Sequence, residues 1–146
     1  YILLIFFTLQ SCGYTPLYSG LNKNNLKINI IEISGNDSMN EIVSLQLKRF
    51  SNNSSDNNKD LRVNTNYEKN ILSKNKQGEA TVFLIKTTVN FEVINSDKNE
   101  NYSYKKNTTI DNISDKLELS NYENTIKENF LSSKVQELIL KLSQIQ

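Results

Sequence analysis

The sequence predicts an α+β fold: a two-layer sandwich in which two helices pack on one face of a four-stranded, mostly antiparallel sheet. Three observations carry this. Thr81, Phe83, Ile85, Thr87, Val89, Phe91 and Val93 occupy every second position, against Lys86, Thr88, Asn90 and Glu92 between them, which is the two-residue period of a strand covered on one face. Two stretches carry apolar residues at helical spacing, and each begins at a Ser-x-x-Glu tetrapeptide able to cap a helix start. The elements follow in the order strand, helix, three strands, helix, so both helices are available to cover the sheet's apolar face.

The chain opens on Tyr1-Ile2-Leu3-Leu4-Ile5-Phe6-Phe7-Thr8-Leu9, an uncharged apolar run far shorter than the ~20 residues that cross a bilayer as a helix. It reads as the core of a signal peptide whose usual basic start is absent from the sequence, so residues 1–11 are expected to be a signal segment, truncated at its start and removed in the mature protein. Leu9-Gln10-Ser11-Cys12 resembles the lipobox of bacterial lipoproteins: an aliphatic residue, a tolerant position, a small residue, then Cys. Gln10 is its least typical member. The resemblance implies that the Cys12 thiol takes a diacylglyceryl group and that cleavage frees its amine for a further acyl chain. Two or three chains hold firmly, because each buried CH₂ contributes roughly 0.8 kcal/mol.

Residues 12–25 contain Gly13, Gly20 and the single Pro16 and are expected to form a lipidated tether. Residues 26–146 are expected to form one α+β domain. Leu26-Lys27-Ile28-Asn29-Ile30 alternates and runs into Ile31-Glu32-Ile33, a first strand ended by Gly35. Ser38-Met39-Asn40-Glu41 is expected to start a helix whose Met39, Val43, Leu47 and Phe50 share a face, with Lys48 and Arg49 suiting its C-terminus. Ser51 to Asn58 reads as a loop. Leu61, Val63, Thr65 and Tyr67 alternate with Arg62, Asn64, Asn66 and Glu68 in a second strand that continues towards Ile71 and Leu72. Residues 73–78 form a turn into the long third strand. Residues 95–99 form another into a fourth, where Tyr102, Tyr104, Lys106, Thr108 and Ile110 alternate. Ser120-Asn121-Tyr122-Glu123 is expected to cap the last helix, with Ile126, Phe130, Leu131, Val135, Leu138 and Leu142 along its apolar side. Phe83, Phe91, Ile126 and Phe130 are expected to share one core.

At 146 residues the chain has room for one domain with a real core. Hydrophobic residues are 37% and charged residues 23%, too apolar for wholesale disorder and too polar for a multispanning membrane protein. Lys+Arg 17 against Asp+Glu 16 gives a net charge of +1, so nothing points to nucleic acid. The absence of His removes the commonest general base and nitrogen metal ligand. A single Cys excludes an internal disulfide and a cysteine-based metal site. With only scattered Asp and Glu remaining, the chain is not expected to be an enzyme, and it is expected to need no cofactor beyond the lipid on Cys12.

In order of elements the chain resembles the lipopolysaccharide-assembly lipoprotein (LptE) family in its alphaproteobacterial form. Four features carry the resemblance: Cys12-Gly13-Tyr14-Thr15-Pro16-Leu17-Tyr18, Gly78-Glu79-Ala80-Thr81 before the long strand, the adjoining hairpin, and Tyr122-Glu123-Asn124-Thr125-Ile126 in the final helix. It implies a domain that plugs a large outer-membrane β-barrel in a Gram-negative envelope. There it helps the barrel assemble and deliver lipopolysaccharide to the surface, held to the membrane by lipid with its body on the periplasmic side or within the lumen. A small lipoprotein serving another envelope assembly has the same anchor and fold. Lys86, Thr88, Asn90, Lys105, Asn107 and Thr109 suit either a hydrated lumen wall or ordinary solvated sheet. Lys74 and Lys76 suit lipid phosphates, which Lys meets as a mobile point charge, or plain surface charge.

Overall fold

The computed structural model describes residues 26–51, 53–95 and 98–144. Its elements are β1 (Lys27–Gly35), α1 (Asp37–Phe50), β2 (Asn58–Lys74), β3 (Ala80–Ile94), β4 (Glu100–Asp111) and α2 (Lys116–Gln144). The strands lie in the order β1-β2-β3-β4. β1 runs parallel to β2, while β2 with β3 and β3 with β4 are antiparallel. Parallel neighbours require a crossover, and α1 supplies it. The predicted α+β sandwich is thus the observed fold, with both helices packed against the sheet.

β1 holds a bulge. Its pairing with β2 slips between Ile30 and Glu32, and the extra residue, Ile31, is 45% exposed. The slip explains the adjacent isoleucines, because it lets Ile28, Ile30 and Ile33 all pack against the core. The strand ends at Gly35, whose φ of +105° and whose opposition to Thr65 demand glycine: a Cβ there would sit 1.8 Å from the Thr65 carbonyl oxygen. The buried Thr65 hydroxyl fastens this corner, accepting from the Asn36 amide at 3.0 Å and donating to Asn40 Oδ1 at 2.6 Å.

Both helix starts differ from the sequence expectation. α1 is capped by Asn36, whose Oδ1 accepts from the Met39 amide at 3.1 Å, so Ser38 lies inside the first turn. α2 begins a turn before Ser120: Asp115 Oδ1 accepts from the Leu117 and Glu118 amides at 2.8 and 3.2 Å. In each case an Asn or Asp upstream outcompetes the serine, because its side-chain oxygen reaches free amides at the chain's actual point of entry into the helix. At the far end of α1, Ser51 Oγ accepts from the Ile28 amide at 2.9 Å and ties the helix to β1.

The core is also divided. Met39, Val43 and Leu47 of α1, Leu61 and Val63 of β2, Val89, Phe91 and Val93 of β3, and Phe130, Leu131, Val135 and Leu138 of α2 form the main cluster. Ile126 joins Ile85 and Ile110 in a smaller one, with Phe83 and Leu119 packed against it. Phe91 and Phe130 therefore share one core while Phe83 and Ile126 share another. The physical reason is that buried Thr87 lies between Ile85 and Val89 on the β3 core face, interrupting the apolar surface.

Candidate functional site

The sheet face turned away from the helices is polar across its width. Alternation places Arg62, Asn64, Asn66 and Glu68 of β2, Lys86, Thr88, Asn90 and Glu92 of β3, and Asn101, Ser103, Lys105, Asn107 and Thr109 of β4 on this side, and the register sets them in rows. One row crosses four strands as a chain of side-chain hydrogen bonds. Asn64 Nδ2 donates to Ser34 Oγ at 3.0 Å, Asn90 Nδ2 to Asn64 Oδ1 at 3.5 Å, and Ser103 Oγ to Asn90 Oδ1 at 2.6 Å. On one side of it Arg62 lies between Glu32 and Glu92, at 3.4 and 3.1 Å. On the other, Lys86 faces Glu68 at 3.8 Å and Asn66 Nδ2 donates to Glu68 Oε1 at 3.0 Å.

The face is hollowed into two open troughs, of about 510 and about 210 Å³, that meet at Asn64 and Asn90. Arg62, Lys86 and Lys105 are matched by Glu32, Glu68 and Glu92, so the surface offers amides, hydroxyls and both signs of charge. Such a surface can bind a polar partner only through hydrogen-bond geometry spread over many groups. Another hollow of about 520 Å³ lies between β1 and the end of α1, lined by Ile28, Ile30, Leu47 and Lys48 among others; Lys48 is its single ionisable side chain, which leaves it without an acid–base pair. Among the described residues no three His, Cys, Asp or Glu side chains gather as a metal site, and no helix is long and apolar enough to cross a membrane.

Lys74 and Lys76 sit at the β2–β3 tip. Asn75 builds this turn: its Oδ1 accepts from the Gln77 and Glu79 amides at 3.0 and 2.9 Å, and Gly78 closes it at φ +82°. Both lysines are exposed. The structure does not bring them to the polar rows, since Lys74 pairs with Ala80 whereas Lys86 lies six positions further along β3, about 20 Å at strand rise. Cys12, together with residues 1–25 as a whole, lies outside the described residues. Of the face residues, Lys86, Thr88, Asn90, Lys105 and Asn107 line the larger trough together, and Asn64, Asn66, Glu68 and Ser103 complete it. The β2 members were visible in the alternation of that strand. Ser34 and Glu32 were not, because only the parallel pairing of β1 sets them beside β2.

Beneath the sheet, Glu123 of α2 accepts from the Tyr67 hydroxyl and from Lys69 Nζ, each at 2.5 Å. Burial opposes ionisation of Glu123, but the Lys69 and Tyr67 hydrogen bonds outweigh it and hold its pKa below the ordinary carboxylate range. Burial, and then the bond to Glu123, raises the Tyr67 hydroxyl well above its usual value. Lys69 also lies 4.2 Å from the Phe83 ring centroid and Lys127 lies 4.4 Å from that of Tyr67. The cluster fixes the start of α2 to the far half of β2.

The fold is shared with solved lipoproteins. The rare lipoprotein B from Shewanella oneidensis superposes with a TM-score of 0.53 at 13% identity, over 80% of this chain and 95% of that one. A minor lipoprotein from Acinetobacter baumannii does so with a TM-score of 0.51 at 14% identity, over 81% of this chain and 92% of its own. No protein-family model matches the chain, and none of the curated proteins matches it by sequence.

Proposed function

We propose that this chain is a lipoprotein of the Gram-negative envelope, anchored to the outer membrane through lipid on Cys12, that plugs a large β-barrel lipopolysaccharide translocon and helps it assemble. The observation that carries the reading is the asymmetry of the sheet: one face is closed by two helices over an apolar core, and the other is a broad, hydrogen-bonded polar surface with balanced charge. A plug in a hydrated lumen needs such a face, because it must contact a polar wall at many points without burying unpaired charge. The shared fold with two lipoproteins supports the reading, as do the lipobox at Cys12 and the family resemblance.

On this reading the protein is not an enzyme, takes no part in nucleic-acid binding, and carries no cofactor apart from the diacylglycerol and acyl chain on Cys12. Its body stands on the periplasmic side or within the lumen, and Lys74 and Lys76 meet lipopolysaccharide phosphates from the exposed tip. Affinity isolation from detergent-solubilised outer membranes of the native host, followed by mass spectrometry, tests it. A large β-barrel protein should co-purify, and the mature chain should begin at a lipidated Cys12. A mature chain with an unmodified Cys12 would overturn the anchor, and isolation without any barrel would overturn the plug.

A further inference from the structure

β1 covers only the first half of β2. Its last pair is Gly35 with Thr65, after which the chain turns into α1, so from Asn66 to Lys74 β2 has β3 on one side and no strand among the described residues on the other. The Thr65 carbonyl accepts from the Asn36 amide at 3.3 Å, which shows that the Thr65 backbone faces this edge. Alternation then points the N–H and C=O groups of Tyr67, Lys69 and Ile71 the same way. Among the described residues none of them has a backbone partner outside the sheet. Ile71 and Leu72 stand 52% and 57% exposed on this stretch, although free edges are ordinarily kept short or polar.

The charges along the edge select one way of pairing it with itself. In an antiparallel pair of identical strands the two-fold axis passes a residue, and each residue lies opposite its mirror position. An axis at Glu68 or Lys69 sets like charges opposite each other. At Asn70 it sets Glu68 against Leu72 and Lys69 against Ile71. At Ile71 it sets Ile71 against Ile71, Lys69 against Ser73, and Glu68 against Lys74, twice by symmetry. The β2–β3 register slips twice here, between Ile71 and Ser73 and again between Ser73 and Lys74, and the long, flexible lysine stem spans the offset to Glu68. We propose that the free edge of β2 is a homotypic interface, joining two copies into one continuous sheet about an axis at Ile71. The same charges deter other strands, since most alternative registers leave them facing apolar or like-charged neighbours. The proposal rests on the edge and its charges and not on the barrel reading, and in the paired state Lys74 meets Glu68 of the second copy instead of a lipid phosphate.

Sedimentation of the full chain in density-matched detergent tests it. The protein mass should rise from that of one copy towards that of two with concentration. Glu68→Lys and Lys74→Glu should each weaken the dimer about ten-fold or more, because each sets like charges opposite at both symmetric sites. An equimolar mixture of the two variants should form a heterodimer, since every Lys then meets a Glu. A wild-type chain that stays monomeric at every concentration would overturn the proposal, as would a dimer that neither variant weakens or variants whose mixture fails to pair.

Discussion

At the scale of single residues, two positions carry more of the structure than their type suggests. Glu123 reads in the sequence as the acid of a capping box, yet it reaches away from its helix end to Tyr67 and Lys69 on β2. Its depressed pKa means that its stabilisation is fully present above the ordinary value of 4.5 and is lost as pH falls below that value through the lower folded one. Glu123→Gln should therefore cost about 1–2 kcal/mol at pH 7, the range of a charge-assisted bond discounted for partial solvent access. The difference from wild type in denaturant melts should shrink well below pH 4.5. An unchanged difference across that range would show that the carboxylate charge contributes nothing. Gly35 is the other case. Gly35→Ala adds strain at positive φ to a collision with the Thr65 backbone, and should cost at least about 3 kcal/mol. Gly78→Ala meets open space at φ +82° and should cost only about 1–2 kcal/mol. Thermal melts of the two variants compare them directly.

At the scale of elements, the sequence's alternation and helical stripes place every strand and helix, and the errors lie at the joints. A Ser-x-x-Glu pattern is local and visible in the sequence and points to serine caps, whereas the choice of Asn36 and Asp115 depends on where β1 and β4 release the chain. The division of the core is likewise a matter of registry. Phe91 and Phe83 occupy equivalent positions in the β3 pattern, but Phe91 is 1% exposed in the main cluster, while Phe83 sits half-buried under Lys69. Phe91→Ala should cost about 3–5 kcal/mol and Phe83→Ala about 1–2 kcal/mol, in proportion to the apolar area each removes from water. Equal losses in urea melts would mean that the two clusters behave as one.

At the scale of the whole molecule, the sheet separates a packed side from a polar side, and on the proposed reading recognition by the polar side is spread over rows of modest contacts. If the chain plugs a barrel as proposed, single Ala substitutions at Lys74, Lys76, Lys86, Glu92 or Lys105 should each weaken that association by less than about 1 kcal/mol, as most interface truncations do. Surface lipopolysaccharide and barrel maturation in the native host should decline gradually through the set. Complete loss from one substitution, in a protein still folded, lipidated and bound to its barrel, would replace the plug by a single-site mechanism. The sequence by itself determined the α+β class, the order and character of the elements, which face of β3 and β4 is apolar, and the candidates Cys12, Lys74 and Lys76, because side-chain period and local chemistry are written along the chain. Only the tertiary structure decided the bulge at Ile31, the partners of Glu123, the rows that set Ser34 and Glu32 beside β2, the distance between the lysine tip and the polar troughs, and the half of β2 left without a neighbour. Each of these depends on pairing between segments far apart in the chain, where register and burial, rather than local preference, fix which groups meet.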